Sequence, residues 1–314
     1  MKILDLRTDK LTQINENMSL ACALGNFDGV HEGHADLLRI AAQKPDGATH
    51  SAVWTFSVHP EIIMKKEKTR IITSCEMKAE LFKSFGVDLL ILSDFDEISS
   101  LSPDAFAREF LFRKCRVCSA ICGFNFRFGK NASGTAETLK EEFSQLGAKV
   151  HIVPPKMIDG VVVSSTGIRK LIENGDVESA RKFLGHPFSL LMPVTEGRKI
   201  GRTIGVPTIN QLFPEKQIVP RHGVYACRVE IDGIEHIAIS NVGVRPTVTG
   251  GNAAVNCETH IIDYDGWLYG RNVRVDFCKF IRPEKKFDDL SALKAQIDKD
   301  IKKTKNFFKT QEAK

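Results

Sequence analysis

The sequence predicts two domains: an N-terminal α/β unit, a parallel sheet with helices on both faces, and a C-terminal antiparallel β-barrel ending in a helix. Three observations predict it. Apolar strand-like runs alternate with helical patterns over the first half, and such alternation with short connections builds parallel sheets. After His186-Pro187 the texture changes to short strand-like segments punctuated by turn residues, the pattern of a barrel or sandwich. The chain has 314 residues, 42% of them hydrophobic, enough for two cores. The boundary is placed so that the domains are 1–186 and 187–314.

In chain order, strand-like runs fall at 20–24, 52–56, 88–92, 117–122 and 149–153, with helical patterns between them at 33–43, 76–85, 103–114 and 135–146. The third helix starts cleanly, with Ser102 as N-cap, Pro103 at the first helical position and Asp104 in the first turn. Helices at about 165–174 and 176–184 end at Gly175 and Gly185, residues suited to a left-handed stop. Strands of the second domain fall at 188–195, 223–231, 236–241, 255–262 and 272–281. Alternation such as Val224-Tyr225-Ala226-Cys227-Arg228-Val229 suits half-buried antiparallel strands. A last helix, 288–308, carries Leu290, Leu293, Ile297 and Ile301 on one stripe. The lysine-rich tail reads as a solvated face.

Composition excludes several classes. No run of about 18 apolar residues is present to span a membrane. The N-terminus is broken by charges and lacks the apolar region of a signal peptide, so a cytoplasmic protein is expected. A net charge of +5 suits anionic ligands and falls short of a nucleic-acid-binding signature. Cys115, Cys118 and Cys122 lack the fourth thiolate of a cluster site; buried free thiols in a reducing compartment are expected.

The most specific segment is Gly25-Asn26-Phe27-Asp28-Gly29-Val30-His31-Glu32-Gly33-His34, between a strand and a helix. Its glycines let backbone approach a ligand, and the helix start offers unpaired N–H groups with a partial positive charge. That is an anion site suited to polyphosphate. The spacing is not the dinucleotide fingerprint. Two histidines alone do not make a zinc site, which needs three or four ligands.

Other constellations are weaker singly. Val163-Ser164-Ser165-Thr166-Gly167-Ile168-Arg169 opens a helix with hydroxyls and one arginine; it is a plain N-cap or a second phosphate cradle, and beside the histidine turn the cradle is favoured. Gly123-Phe124-Asn125-Phe126-Arg127-Phe128-Gly129 follows a strand: its aromatics stack on a planar ring, with Asn125 and Arg127 as polar contacts, or pack in the core. Gly197-Arg198-Lys199-Ile200-Gly201-Arg202-Thr203 resembles a degraded phosphate-binding loop but is expected among strands instead of opening a helix. Thr208 and Asn210, two apart on an extended segment, point the same way and suit a shared Mg²⁺. Glu258 is one carboxylate in an apolar strand, a candidate base or an outward-facing residue.

Together these residues resemble the prokaryotic bifunctional riboflavin kinase/FMN adenylyltransferase family, also called FAD synthetase. The resemblance rests on 25–34, 124–129 and 164–169 in the first half, and on 201–210, Gly223-Val224-Tyr225, 241–247, Glu258 and Arg282-Pro283-Glu284 in the second. It implies a Rossmann-like nucleotidyltransferase domain joined to a barrel of riboflavin kinase type. It further implies a transferase that makes FMN from riboflavin and ATP, then FAD and pyrophosphate from FMN and ATP. In the first domain, the resemblance implies that His31 and His34 neutralise charge developing on the leaving group, with Arg169 clamping the same phosphates beside Ser164, Ser165 and Thr166. Gly25, Phe27, Asp28, Gly29, Gly33, Ser164, Ser165 and Thr166 would hold the nucleotide, and Asn125 and Arg127 the flavin. In the second domain it implies Thr208 and Asn210 on Mg²⁺, and Glu258 as base for the riboflavin 5′-hydroxyl. Gly197, Arg198, Gly201 and Gly205 would close over the nucleotide, with Arg282 among the substrate-binding residues. The partners implied are ATP, riboflavin and FMN, with no nucleic acid and no membrane, and self-association left open.

The chain departs from the family pattern at Ser57, Val58 and Asn125. These departures motivate an alternative in which the kinase is intact and the adenylyltransferase weakened or inactive. A third reading, from basic Arg198, Lys199 and Arg202, makes the barrel an RNA-binding module, but the aromatic interleaving of a stacking platform is missing.

Overall fold

A computed structural model describes residues 1–9, 11–64, 69–197, 200–244 and 255–312. By packing, the chain falls into two compact units, Met1–Ser165 and Thr166–Lys314.

The first unit is built on a six-stranded parallel sheet. Its strands are β1 (Lys2–Asp5), β2 (Leu20–Leu24), β3 (His50–Phe56), β4 (Leu89–Ser93), β5 (Val117–Gly123) and, after short β6 (Arg127–Phe128) and β7 (Gly134–Thr135), β8 (Lys149–Val153). Their spatial order is β1-β4-β3-β2-β5-β8. The order reverses between β2 and β5, and ligands of open α/β sheets bind at the carboxyl ends of strands beside such a reversal. The edge strand β1 was not legible, since only Leu4 of its four residues is buried and charged residues flank it.

Strand β2 shows why the sheet has two covered faces. Leu20, Cys22 and Leu24 enter one core with Trp54, Phe106, Phe110, Leu139 and Phe143, while Ala21 and Ala23 enter the other with Leu37, Leu38 and Phe82. This is the period-two alternation of a strand buried on both sides. The second core is closed by helices α1 (Glu32–Ala42) and, after the short α2 (Pro60–Ile63), α3 (Cys75–Ser84). After the short α4 (Phe95–Ser99), the predicted helix at 103–114 runs as a π-helix over Ala105–Lys114. Ser102 Oγ still accepts the Ala105 N–H at 3.3 Å, as its N-cap role requires. Helix α5 (Ala136–Gln145) completes that face.

A hairpin, β9 (Met157–Ile158) and β10 (Val161–Val162), leads to α6 (Ser165–Glu173) and α7 (Val177–Leu184). Helix α7 packs against β11 (Phe188–Pro193) and β16 (Asn272–Pro283). In contacts α7, and α6 beyond Ser165, therefore go with the second unit.

The second unit is an antiparallel sheet in the order β11-β16-β13-β14-β15-β12, with β12 (Ile209–Leu212), β13 (Gly223–Ile231), β14 (Ile234–Val244) and β15 (Val255–Ile261). Thr195 pairs with Asn210 beyond β11 and brings the two edges together, so the sheet is a nearly closed barrel. One face carries Tyr225, Cys227, Thr259 and Phe277, all buried, with Tyr225 edge-on to Phe277 at 5.2 Å. Helix α9 (Leu290–Glu312) covers part of the other face. Its buried positions differ from the predicted stripe: Leu290 stays 52% exposed, whereas Asp300, Thr304 and Phe308 are buried. Asp300 goes inward because Arg282 of β16 needs a carboxylate, which it meets at 2.9 Å.

Candidate functional site

Two constellations form, one in each unit. The first follows β2 at the reversal of strand order. Phe27, Gly29 and Val30 all have positive φ, 51°, 85° and 41°, a conformation that costs a non-glycine residue energy and persists only where packing enforces it. Phe27 supplies the enforcement. Its ring is fully buried, edge-on to Phe82 at 5.3 Å and tilted against His34 at 5.1 Å. Asp28 is buried too, and its Oδ1 accepts the N–H groups of Ile72 at 2.9 Å and Thr73 at 3.3 Å. Both residues thus face inward and hold the turn's shape.

His31 is the N-cap of α1. Its Nδ1 accepts the His34 N–H at 3.2 Å, so a neutral His31 carries its proton on Nε2. The two imidazoles stack at 3.6 Å and 10°. Gly33 leaves room for this arrangement, since a Cβ there would meet His31 Cε1 at 3.2 Å. Burial, followed by His31 and Lys78, pushes the His34 imidazole well below its usual pKa. Its Nδ1 is covered and has no hydrogen-bond partner. Ser165 Oγ donates to the Asp28 carbonyl at 2.8 Å, which brings the start of α6 to the turn as expected. Ser164 is half-buried beside it, while Thr166 and Arg169 lie farther along α6 in the second unit.

The segment after β5 splits its aromatics between the two readings. Phe128 is core, packed 5.1 Å from Phe106, whereas Phe124 is 49% exposed and Asn125 and Arg127 are exposed beside it. Only Phe124 is placed to stack on an incoming ring.

The second constellation is a row across the outer face of the barrel. Asn210 pairs with Glu258, Glu258 with Asn241, Asn241 with Val224, and Val224 with Arg282. Directly paired residues share a face, so Glu258 lies between two amides and is exposed. Asn256, two residues earlier on the same face, donates from Nδ2 to Glu258 Oε1 at 3.0 Å and to Asn210 Oδ1 at 3.3 Å. Asn256 Oδ1 is buried without a partner. Gly197 lies against this group: a Cβ there would collide with Asn210 Nδ2. Arg282 belongs to the row but is engaged with buried Asp300, a tie to α9.

The 197–205 loop differs from expectation. It does open a helix, though only one turn, α8 (Ile200–Thr203), in which Gly201 lies too close to the Val206 carbonyl for any side chain. Gly205 has φ 74° and returns the chain toward β12. Arg198 lies outside the described residues, as do 245–247 of the 241–247 motif. Thr208 lines a cavity of about 560 Å³ that also meets Arg202, Tyr264, Trp267 and Tyr269. Trp267 is 73% exposed, and the Arg202 guanidinium lies 5.9 Å from the Tyr269 ring.

Asn256 and Lys78 were missed in the sequence. Period-two spacing from Glu258 could have found Asn256. Lys78 looks like any surface lysine of an amphipathic helix, and only its burial singles it out. Among the described residues, no group of three or more His, Cys, Asp or Glu could hold a metal, and no helix is long and apolar enough to cross a membrane.

Comparison with known proteins covers both units. The FAD synthetase family model matches residues 13–167 and the riboflavin kinase model residues 184–308. A bifunctional riboflavin kinase/FMN adenylyltransferase of Listeria monocytogenes is 34% identical over 310 residues, 96% of each chain. That of Bacillus subtilis is 34% identical over 299 residues, 93% of this chain and 94% of the relative. That of Escherichia coli K12 is 33% identical over 291 residues, 91% of each. A crystal structure from Streptococcus pneumoniae, titled a macrolide-efflux protein, superposes with a TM-score of 0.85 at 31% identity, covering 98% of this chain and 99% of the other.

Proposed function

The chain belongs to the family of bifunctional riboflavin kinase/FMN adenylyltransferases, and with that as premise we propose which residues carry each reaction. The enzyme phosphorylates riboflavin with ATP to give FMN, and adenylylates FMN with ATP to give FAD and pyrophosphate. We assign the second reaction to residues 1–186 and the first to 187–314; the FAD synthetase match at 13–167 lies within the first range, and the riboflavin kinase match at 184–308 lies within the second but for its first three residues.

For adenylyl transfer, an FMN phosphate oxygen bonds to the α-phosphorus of ATP while the α–β bridging bond breaks. The nucleophile is already ionised, so the protein's task is positioning and charge stabilisation. The observation that carries the assignment is the strained, core-anchored turn at the reversal of strand order. His31 offers Nε2–H to the departing phosphates, with His34 stacked behind it and the α1 amides alongside. Gly25, Gly29 and Gly33 let the nucleotide approach, while Phe27 and Asp28 keep the turn in shape. Ser164 and Ser165 add hydroxyls to the phosphate contacts. Phe124, Asn125 and Arg127 meet the flavin.

For phosphorylation, the riboflavin 5′-oxygen bonds to the γ-phosphorus, its proton passes to Glu258, and ADP leaves. Asn210 and Glu258, paired across β12 and β15, carry this assignment. Thr208 and Asn210 suit Mg²⁺, since a hydroxyl and an amide oxygen leave most positions to phosphate and water. Bound there, the ion would neutralise charge on the terminal phosphates. Gly197, Arg198, Gly201 and Gly205 belong to the loop over the nucleotide, and the aromatic cavity beyond Thr208 takes its planar base. Arg282 anchors the flavin side of the row through its tie to α9. A cytoplasmic setting, where ATP is made, suits eight cysteines that are all free.

The test is a product assay. Full-length protein with riboflavin, ATP and Mg²⁺ should accumulate FMN and then FAD. FMN without FAD, even when FMN is supplied, would establish the reading in which the departures at Ser57, Val58 and Asn125 have silenced the first domain.

A further inference from the structure

Helix α3 sends one charged side chain into the protein. Lys78 is 7% exposed, and its Nζ donates to the Asn26 carbonyl at 2.8 Å. A buried ammonium is costly unless paired, and here the Asp28 carboxylate supports it. Asn26 is the residue just before the strained stretch Phe27–Val30. Thr55 Oγ1 also donates to its carbonyl, at 3.3 Å, from the end of β3. Two donors from separate elements therefore pin one peptide plane at the entrance of the turn, and through it the direction of the amides that follow.

We propose that Lys78 is a positioning residue for adenylyl transfer, fixing the histidine turn from behind through Asn26 and setting a buried positive charge beside it. The inference rests on the assignment of that turn to FMN adenylylation. The chemistry favours a charge there over a simple prop. An apolar side chain of similar length could fill the space, but it could neither hold the Asn26 carbonyl nor act on His34. Among the described residues, the titratable groups acting on His34 are His31 from the turn and Lys78 from α3, with Asp28 in turn acting on Lys78. Each of the first two disfavours a proton on His34. A neutral His34 sets no cation against the His31 ring stacked on it at 3.6 Å, whose Nδ1 stays free of a proton to accept the His34 N–H.

Three substitutions separate the parts of this role. Lys78→Gln keeps a donor for Asn26 and removes the charge, Lys78→Met removes both, and Lys78→Arg keeps the charge. Adenylylation of supplied FMN should fall by roughly 10- to 10²-fold in Lys78→Met, mainly in kcat, because misplacement of catalytic groups acts on the transition state. Riboflavin phosphorylation by the same preparations should be unchanged. The acid limb of the FAD-forming rate should move to higher pH in Lys78→Gln and Lys78→Met, and stay in place in Lys78→Arg. An NMR titration of the His34 ring follows protonation directly, including in a variant too weak to assay: its midpoint should rise in Lys78→Gln. Identical His34 titrations in native and Lys78→Gln protein would overturn the inference. The underlying assignment fails separately, if His34→Ala leaves FAD formation at the native rate.

Discussion

Asn256 and Glu258 are joined by a 3.0 Å hydrogen bond, and the same Asn256 amide nitrogen reaches Asn210 at 3.3 Å. One side chain thus couples the base proposed for the riboflavin hydroxyl to the residue proposed for the metal, across two paired strands. Asn256→Ala should lower kcat for riboflavin phosphorylation by roughly tenfold or more through loosened geometry, and raise the Mg²⁺ concentration needed for half-maximal rate. Native Mg²⁺ dependence in the variant would mean the bridge is incidental.

Glu258→Gln keeps the shape and removes the proton acceptor. FMN formation should drop by about 10²- to 10⁴-fold, the usual contribution of a general base, while conversion of supplied FMN to FAD proceeds normally. Equal loss of both reactions would show that the two chemistries share this residue.

His31 acts twice, as N-cap of α1 and as proposed phosphate donor. His31→Asn retains a capping side chain, whereas His31→Ala also gives up about 1 kcal/mol of cap. Both should cost adenylylation roughly 10²-fold, but only the alanine variant should melt appreciably lower. A fully active His31→Asn enzyme would reduce the histidine to its capping role.

The depressed pKa of His34 has a stability consequence with a definite sign. Burial, then His31 and Lys78, disfavour its protonation in the folded chain, against an ordinary value of 6.5. The unfolded chain takes up a proton near pH 6.5 that the folded chain refuses. The stabilisation is therefore complete above 6.5 and is lost as pH falls from there toward the folded pKa. Urea midpoints at pH 7.5 and 5.5 should differ more for native protein than for His34→Gln, and equal differences would contradict the assignment.

Asp300 is 1% exposed and ion-paired with Arg282 at 2.9 Å, with Gln296 on its other oxygen. Asp300→Ala takes the carboxylate from a half-buried guanidinium and should destabilise the second unit by about 1–3 kcal/mol. Chemical denaturation followed by Trp267 fluorescence, from the barrel, would measure it.

Most of the architecture was legible because it rests on local periodicity. Alternating residues of β2 and β13, the caps at Ser102 and Gly185, and the glycine-rich turn each declare themselves within ten residues or so. What failed was short or context-dependent. The edge strand β1 carries charges on its open side, and the π-helix over Ala105–Lys114 has the same apolar spacing as an α-helix in so short a stretch. The buried face of α9 was misread because a carboxylate at position 300 looks solvent-facing until Arg282 is brought to it.

The sequence by itself determined the family, the order of the two folds and the segments proposed to carry the chemistry, since those depend on residue types at fixed spacing. Only the tertiary structure decided what each residue in those segments does. It turned Phe27 and Asp28 inward as anchors and made His31 a cap. It set Glu258 between Asn210 and Asn241, and brought Lys78 from a distant helix beneath the turn. The physical reason is that side-chain direction, burial and hydrogen-bond partners arise from contacts between elements far apart in the chain, which no local pattern encodes.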